Sequence, residues 1–304
     1  AFDSKNQKIV AIKRFSFDKI DYKKVCALFH EVFIMSKIHN MFLVNLIGFS
    51  SVYPYYLVME LVQNGSLFEH LHGRKHPLWL TNTRKTVIAL GIACGMIYIH
   101  NNSIIHGDLK SNNILIDDNY YPKICDFGIA RFVDQKGDSE IPSGTPCWMA
   151  PEMLKGEQYG KEVDVYSFAM ILYEMLTYEI PFKGKNSFEI MRIVCSKNER
   201  PKLPSNTNKN LANLIKRCWD IDPSSRPSFK EIYNLFLLHE VEFNDTDKNF
   251  VDAVIKSIGL EVYQDDSKLS DIQTNENQDI HIEPANNNLQ LKRSSSSYNN
   301  IDIN

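Results

Sequence analysis

His106-Gly107-Asp108-Leu109-Lys110-Ser111-Asn112-Asn113 is followed, thirteen positions after Asn113, by Asp126-Phe127-Gly128. Two carboxylates and a carboxamide at this spacing suit one chemistry. Moving a phosphoryl group from a metal-bound nucleotide needs a carboxylate to orient the incoming hydroxyl and accept its proton. It also needs oxygen ligands to hold magnesium against the phosphates. Asp108, Asn113 and Asp126 fit those three tasks in that order, the first two on one tight loop and the third at the start of another.

Outward from this stretch the chain changes character. Before it, KIVAIKRF (8–15), LVNLIGF (43–49) and YYLVMELV (55–62) are β-branched and apolar runs that predict strands, the last ended by the turn residues Asn64-Gly65-Ser66. Between the first two, CALFHEVFIMSKIH places Leu28, Val32, Met35 and Ile38 at three- and four-residue steps, predicting a helix that also carries Glu31. From about residue 66 the pattern turns helical: SLFEHLH, then TNTRKTVIALGIACGMIYIHNN, later NSFEIMRIV, LANLIKRCW and FKEIYNLFLLHEV. VDVYSFAMILYEMLT is apolar all round and predicts a buried central helix. After about residue 243 the periodicity fades through VDAVIKSIGLEVY into an Asn-, Asp-, Gln- and Ser-rich tail, expected to be mostly disordered.

Bulk properties narrow the partners. The 304 residues are 43% hydrophobic and 23% charged, an ordinary globular balance with room for two lobes and a tail. A formal charge of −3 gives no reason to expect nucleic acid. Six scattered cysteines form no C-x-x-C pair and suggest reduced thiols in the cytoplasm rather than zinc or a disulfide framework. No apolar run reaches the roughly 18 to 20 residues that a membrane helix needs. The chain opens on Ala1, so an anchor or receptor portion upstream stays open as an alternative.

HGDLKSNN, DFG and the Val10-Ala11-Ile12-Lys13 run resemble the signature set of eukaryotic protein kinases. Alone, VAIK is an ordinary buried strand and Asp-Phe-Gly an ordinary turn; the order Lys13, Glu31, Asp108, Asn113, Asp126, Glu152, Asp164, Arg226 is what carries the resemblance. It implies an α+β bilobal kinase fold: a small antiparallel sheet with one helix (1–62, incomplete), a mainly helical lobe (63–243) and an extension (244–304). It further implies ATP and Mg²⁺ as cofactors, with Lys13 on the α- and β-phosphates and paired to Glu31. Asp108 becomes the base, Lys110 the contact to the transferred phosphate, and Asn113 and Asp126 the metal ligands. Ala11, Met59, Glu60, Val62 and Leu115 become the adenine surround, Glu60 and Val62 through backbone hydrogen bonds. Phe127 is expected beneath the helix of Glu31, His106 in a structural role, Asp164 bracing the catalytic loop, and Arg226 paired with Glu152 of Ala150-Pro151-Glu152. Lys110 with Gly144-Thr145 resembles kinases of serine and threonine. SGTPCWMAPEML, DVYSFAMILYEMLT and RCWDIDPSSRP resemble the tyrosine-kinase-like branch. A protein substrate is expected along the activation segment and the helix near 187–195.

Two departures stand against this pattern. Only AFDSKNQKIV precedes Ala11, so the glycine-rich loop, the first strand and part of the second are expected outside this chain, leaving the sheet short of an edge strand. This motivates a pseudokinase or scaffold as the alternative. Gly107 replaces the arginine that usually gathers a loop phosphate, so phosphorylation of the loop, for which Ser139 is the first choice over Ser143 and Thr145, is expected to matter less. His-Gly-Asp also occurs in aminoglycoside and choline kinases, but Ala150-Pro151-Glu152 and DVYSFA argue against them. Ser294–Ser297 behind Lys292-Arg293 is a second candidate phosphorylation cluster.

Overall fold

The computed structural model describes residues 1–3, 7–15, 22–73, 77–134 and 146–263. The expectations for Ser139, Ser143, Gly144, Thr145, Ser294–Ser297 and the tail beyond 263 therefore lie outside the described residues.

Ile9, Val10 and Ile12 favour extended backbone, and Lys8–Phe15 forms a strand, β2, along which Ala11 and Lys13 share one face. It pairs antiparallel with β4 (Tyr55–Glu60), Ala11 opposite Met59 and Lys13 opposite Leu57. β4 pairs in turn with β3 (Leu46–Phe49), whose ladder slips between Leu46 and Gly48. Leu43, read as the start of that strand, instead bridges in parallel to Ile124. The free edge of β2 is met by β1, only Phe2–Asp3, giving the order β1-β2-β4-β3. An edge that short leaves Ile9 exposed.

Helix α1 (Tyr22–Lys37) begins four residues earlier than its apolar stripe indicates and ends at Lys37. Leu28, Val32, Met35 and Ile38 are buried beneath it, as their spacing requires. Ser66 caps α2 (Leu67–His72) in a reciprocal box with Glu69, fixing where the chain turns from sheet to helices.

The helical part is built on α3 (Asn82–Asn101) and α5 (Glu162–Thr177). Every residue from Val163 to Met175 is buried, so α5 lies inside the lobe, and its polar members Asp164, Ser167 and Glu174 must find partners there. Short α4 (Pro151–Leu154) precedes it; α6 (Ser187–Met191), continued by a π turn over Arg192–Ser196, α7 (Lys209–Cys218) and α8 (Phe229–Leu237) follow. α7 packs on α5 and α8 on α3. The stretch where the sequence pattern fades nevertheless holds α9 (Lys248–Ser257), whose Val251 and Val254 pack on Val87 of α3. Beyond it Tyr263 is tied to α8, its N–H donating to Asn234 Oδ1 at 3.1 Å and its carbonyl accepting from Nδ2 at 3.0 Å.

Strand pairs between the two parts carry the functional loops. β5 (Ile104–Ile105) pairs with β8 (Arg131–Phe132), and β6 (Ile114–Ile116) with β7 (Pro122–Ile124). His106–Asn113 thus hangs between β5 and β6, and Asp126–Gly128 between β7 and β8. This α+β arrangement of a small antiparallel sheet with one helix, over a mainly helical lobe, is the architecture that the sequence resemblance implies.

Candidate active site

The face of β2 that carries Lys13 looks toward α1 and the loop after β7. Lys13 Nζ donates to Glu31 Oε1 at 2.9 Å and Oε2 at 3.2 Å, and to Asp126 Oδ1 at 3.2 Å. Burial pulls the Lys13 ammonium toward losing its proton, but the carboxylates of Glu31 and Asp126 outweigh it and raise the group above its ordinary range. Burial pushes the Glu31 carboxyl up, an effect that Lys13 only partly offsets. For Asp126 burial pulls upward too, yet Lys13 prevails and the group is held below the usual carboxylate range. Asp126 takes a left-handed backbone with φ of 65°, uncommon outside glycine and frequent at functional sites. Gly128 adjoins the same cluster: a Cβ there would stand 3.4 Å from Asp126 Oδ1 and 3.8 Å from Glu31 Oε2.

Phe127, fully buried, packs its ring 5.2 Å from that of His106. His106 has the structural role expected of it: Nε2 donates to the Cys125 carbonyl at 3.1 Å, and Nδ1 accepts the Asp108 N–H at 3.2 Å. Asp108 Oδ2 accepts from Lys110 Nζ at 2.8 Å and from Asn113 Nδ2 at 3.0 Å. Asn113 Nδ2 also donates to the Asp108 carbonyl at 2.8 Å, so its nitrogen is occupied and its amide oxygen is the atom left to act as a ligand. The Asn113 carbonyl accepts the Cys125 N–H at 2.9 Å, stitching the loop of Asp108 to the loop of Asp126.

The loop is suspended from α5. Asp164, fully buried, accepts the His106 N–H at 2.9 Å, the Gly107 N–H at 2.8 Å and His100 Nε2 at 2.9 Å. Gly107 has φ of +76°, a conformation suited to glycine, while a Cβ there would meet Ile129 only at ordinary contact distance. Burial pulls the Asp164 carboxyl upward, but the hydrogen bond and charge of His100, with the backbone N–H groups, hold it below the carboxylate range. A carboxyl whose folded pKa lies below its unfolded value adds stability that is present above the ordinary value of 3.8 and is lost as pH falls through the lowered folded value. Each unit of that difference is worth about 1.4 kcal/mol. Acid titration followed by far-ultraviolet circular dichroism is expected to show a shallower loss of stability below that pH for Asp164→Asn, from a lower starting stability at neutrality.

Glu152 and Arg226 close the far side of the lobe. Nη1 and Nη2 reach Glu152 Oε1 and Oε2 at 2.6 and 3.0 Å, the fork geometry of a bidentate pair.

Residues from distant parts of the chain complete the site unannounced by any motif. Fully buried Glu174 accepts from His72 Nε2 and Ser111 Oγ, each at 2.8 Å, and from Trp148 Nε1 at 2.6 Å. It thereby joins α2, the catalytic loop and the approach to α4. His30, beside Glu31, donates from Nε2 to the Ala130 carbonyl at 3.0 Å. Glu60 Oε1 takes Lys123 Nζ at 2.9 Å and the Asn45 N–H at 2.8 Å. The Glu60 N–H is itself spent on the Asn45 carbonyl at 3.1 Å and is not available to a base. Among the described residues nothing bonds the Val62 N–H or carbonyl. Met59 and Ala11 are neighbours across β2 and β4, and Leu115 stands on β6 opposite Lys123.

The donor set fits a hard divalent cation held jointly with phosphates: one carboxylate and one amide oxygen, with Lys13 beside them. Among the described residues no group of three or more His, Cys, Asp or Glu is placed to hold a metal ion. Nor is any helix there long and apolar enough to cross a membrane.

The family of the protein kinase domain matches residues 1–237. The chain belongs to the protein kinases. Relatives of this kinase include the serine/threonine-protein kinase STY17 of Arabidopsis thaliana, 35% identical over 243 residues, which are 79% of this chain and 42% of that one. The serine/threonine/tyrosine-protein kinase HT1 of the same plant is 39% identical over 203 residues, 66% of this chain and 52% of its own. The dual specificity protein kinase shkC of Dictyostelium discoideum is 38% identical over 233 residues, 74% and 46%. The kinase spans about half or less of these relatives' lengths. This membership agrees with the resemblance of the sequence to the tyrosine-kinase-like branch of the protein kinases.

Proposed function

We propose that this kinase transfers the terminal phosphoryl group of ATP to serine and threonine hydroxyls of proteins, with Mg²⁺ as the metal. The observation that carries the reading is a pair of bonded clusters, Lys13–Glu31–Asp126 and Asp108–Lys110–Asn113, stitched together by the Cys125 N–H to Asn113 carbonyl bond. Lys13, kept charged by Glu31, is placed to bind the α- and β-phosphates. Asp126 and the Asn113 oxygen are placed to hold the metal. Asp108 accepts the proton of the substrate hydroxyl, and Lys110, now at 2.8 Å from it, reaches the phosphate in transfer. The bound metal nucleotide supplies the phosphoryl group and neutralises part of its charge. The Glu60 carbonyl and the free backbone groups of Val62 receive the base between Ala11, Met59 and Leu115.

The assembled Lys13–Glu31 pair supports an enzyme over a scaffold. Preference for serine and threonine is supported by Lys110 and by the names that STY17 and its kin carry; HT1 and shkC support acceptance of tyrosine as a second reading. Protein substrate is expected to lie along the activation segment and the helix near 187–195. A cytoplasmic setting is part of the proposal, supported by six scattered thiols without a disulfide framework.

The test is twofold. At about one hundred times its dissociation constant, magnesium-ATP is expected to stabilise the chain by about 2.7 kcal/mol, read as a raised melting temperature. A generic basic protein should acquire phosphoserine and phosphothreonine by mass spectrometry. Neither a thermal shift nor transfer, with magnesium or manganese, would overturn the proposal, and phosphotyrosine alone would overturn its serine/threonine part.

A further inference from the structure

The protein kinase family matches residues 1–237, and α9 (Lys248–Ser257) lies beyond them. Phe250 on this helix meets Arg84 of α3, whose guanidinium carbon lies 4.7 Å from the ring centre. The same carbon lies 5.3 Å from the centre of the Tyr120 ring, and Arg84 Nη1 donates to the Asn119 carbonyl at 3.4 Å. Tyr120 in turn lies against Trp79, their ring centres 4.7 Å apart. Asn119 and Tyr120 belong to the turn that joins β6 to β7. The backbone there is left-handed at Tyr120, with φ of 63°, a conformation that few residues with a side chain adopt. Tyr121, the next residue, packs against the cluster of Val87, Val251 and Val254. Two successive turn residues are thus held from the side of α9.

The hairpin has three residues on each strand, and a lone two-stranded pair of that kind has little stability of its own. Backbone bonds fasten its flanks, Ile124 to Phe42 and Val44, and Ile116 to Asn64 and Gly65, so its tip is left to side chains. At the open end stand Asn113, one residue before β6, and Asp126, two after β7, with the Cys125 N–H to Asn113 carbonyl bond between them. Strands this short move as a unit, and a tip that tilts carries both residues with it. We propose, resting on the kinase reading above, that Arg84 and Phe250 are positioning residues: α9 braces the tip of the β6–β7 hairpin through the row Phe250–Arg84–Tyr120 and so sets the geometry of Asn113 and Asp126 as ligands to the metal. Arginine suits the middle of such a row, because a planar cation meets ring faces and still donates from its edge. Phe250 is 37% exposed, so its ring can be exchanged with little disturbance of the interior.

The experiment compares the full chain with Phe250→Ala, Phe250→Leu, Phe250→Tyr, Arg84→Ala and the double variant Arg84→Ala with Phe250→Ala. Asn234→Ala is the control, since it frees Tyr263 elsewhere in the same extension without touching the row. Two quantities are read: amide exchange, and the magnesium concentration that gives half-maximal phosphoryl transfer. In Phe250→Ala exchange at 115–125 is expected to quicken about two- to fivefold, the size of one exposed cation–ring contact, and the magnesium requirement to rise by a similar factor. The amides of His106 and Gly107, donated to Asp164, should keep their rates, and KM for the protein substrate should hold. Phe250→Leu should match Phe250→Ala, and Phe250→Tyr should match wild type, because the row needs a ring face rather than apolar bulk. The double variant should equal Arg84→Ala, as members of one row do not add. Wild-type exchange and magnesium dependence in Phe250→Ala, full recovery in Phe250→Leu, strict additivity in the double variant, or the same change in Asn234→Ala or at His106 and Gly107 would each overturn the inference. Should the wild type transfer nothing to protein, the kinase reading fails by itself, and exchange at 115–125 still decides whether α9 braces the hairpin.

Discussion

Asp108→Asn is expected to lower kcat for phosphoryl transfer about 10²- to 10⁴-fold, the span that a positioned general base contributes. The amide is nearly the same size and still accepts from Lys110 through its oxygen, so the loop keeps its place. What it lacks is an oxygen that can take a proton from the hydroxyl. Nucleotide affinity should survive, because Lys13, Glu31 and Asp126 are untouched and Asp108 is tied to Lys110 and Asn113 rather than to them. The two readouts therefore separate: the melting shift with magnesium-ATP persists while single-turnover transfer collapses. An Asp108→Asn variant that turns over like wild type would mean that the proton leaves by another route and that Asp108 is not the base.

Arg226→Ala is expected to have the largest effect on stability, about 3 to 5 kcal/mol, because it strands a buried carboxylate. The Arg226 side chain is 0% exposed and that of Glu152 7%. Besides the bidentate pair, its guanidinium serves the carbonyls of Glu162 and Asp220, each at 3.0 Å, so four acceptor bonds go with one side chain. For a domain of this size each kcal/mol corresponds to about 2 to 4 °C in melting temperature, so a fall of about 6 to 20 °C is expected by calorimetry. Removing both charges together, as Glu152→Leu with Arg226→Met, should cost less than Arg226→Ala, since no lone ion is left in the interior. A single variant melting within a degree or two of wild type would refute the assignment of this pair as a structural anchor.

The chemistry is legible in the sequence because it is written in short loops. Asp108, Lys110, Asn113 and Asp126 sit where few residue types work, and the strands and helices around them announce themselves by period. Hubs assembled across the chain are silent by comparison. Glu174 gathers His72, Ser111 and Trp148, the first 102 positions away, and nothing in a run of apolar helix marks one glutamate as the acceptor of three bonds. Likewise α9 hides because its buried stripe is only Val251 and Val254, set among polar residues that look like the start of a tail. The first turn of α1 escapes a reading by periodicity because Tyr22 and Lys24 are exposed and contribute no stripe. For Glu60 the sequence places the residue beside the base but not the atom: which of its backbone groups is free depends on Asn45, a neighbour in the sheet rather than along the chain.

The suspension of residues 106 and 107 from Asp164 has a consequence for how this molecule loses activity. Segments that open on their own are those with few buried partners, and they free themselves at little cost. The catalytic loop is the reverse, since its backbone is fastened to the most deeply enclosed helix of the lobe. It has no private route to disorder. As heat or denaturant is raised, the catalytic geometry and the interior of the helical lobe belong to one cooperative unit, and the loop gives way when that unit does.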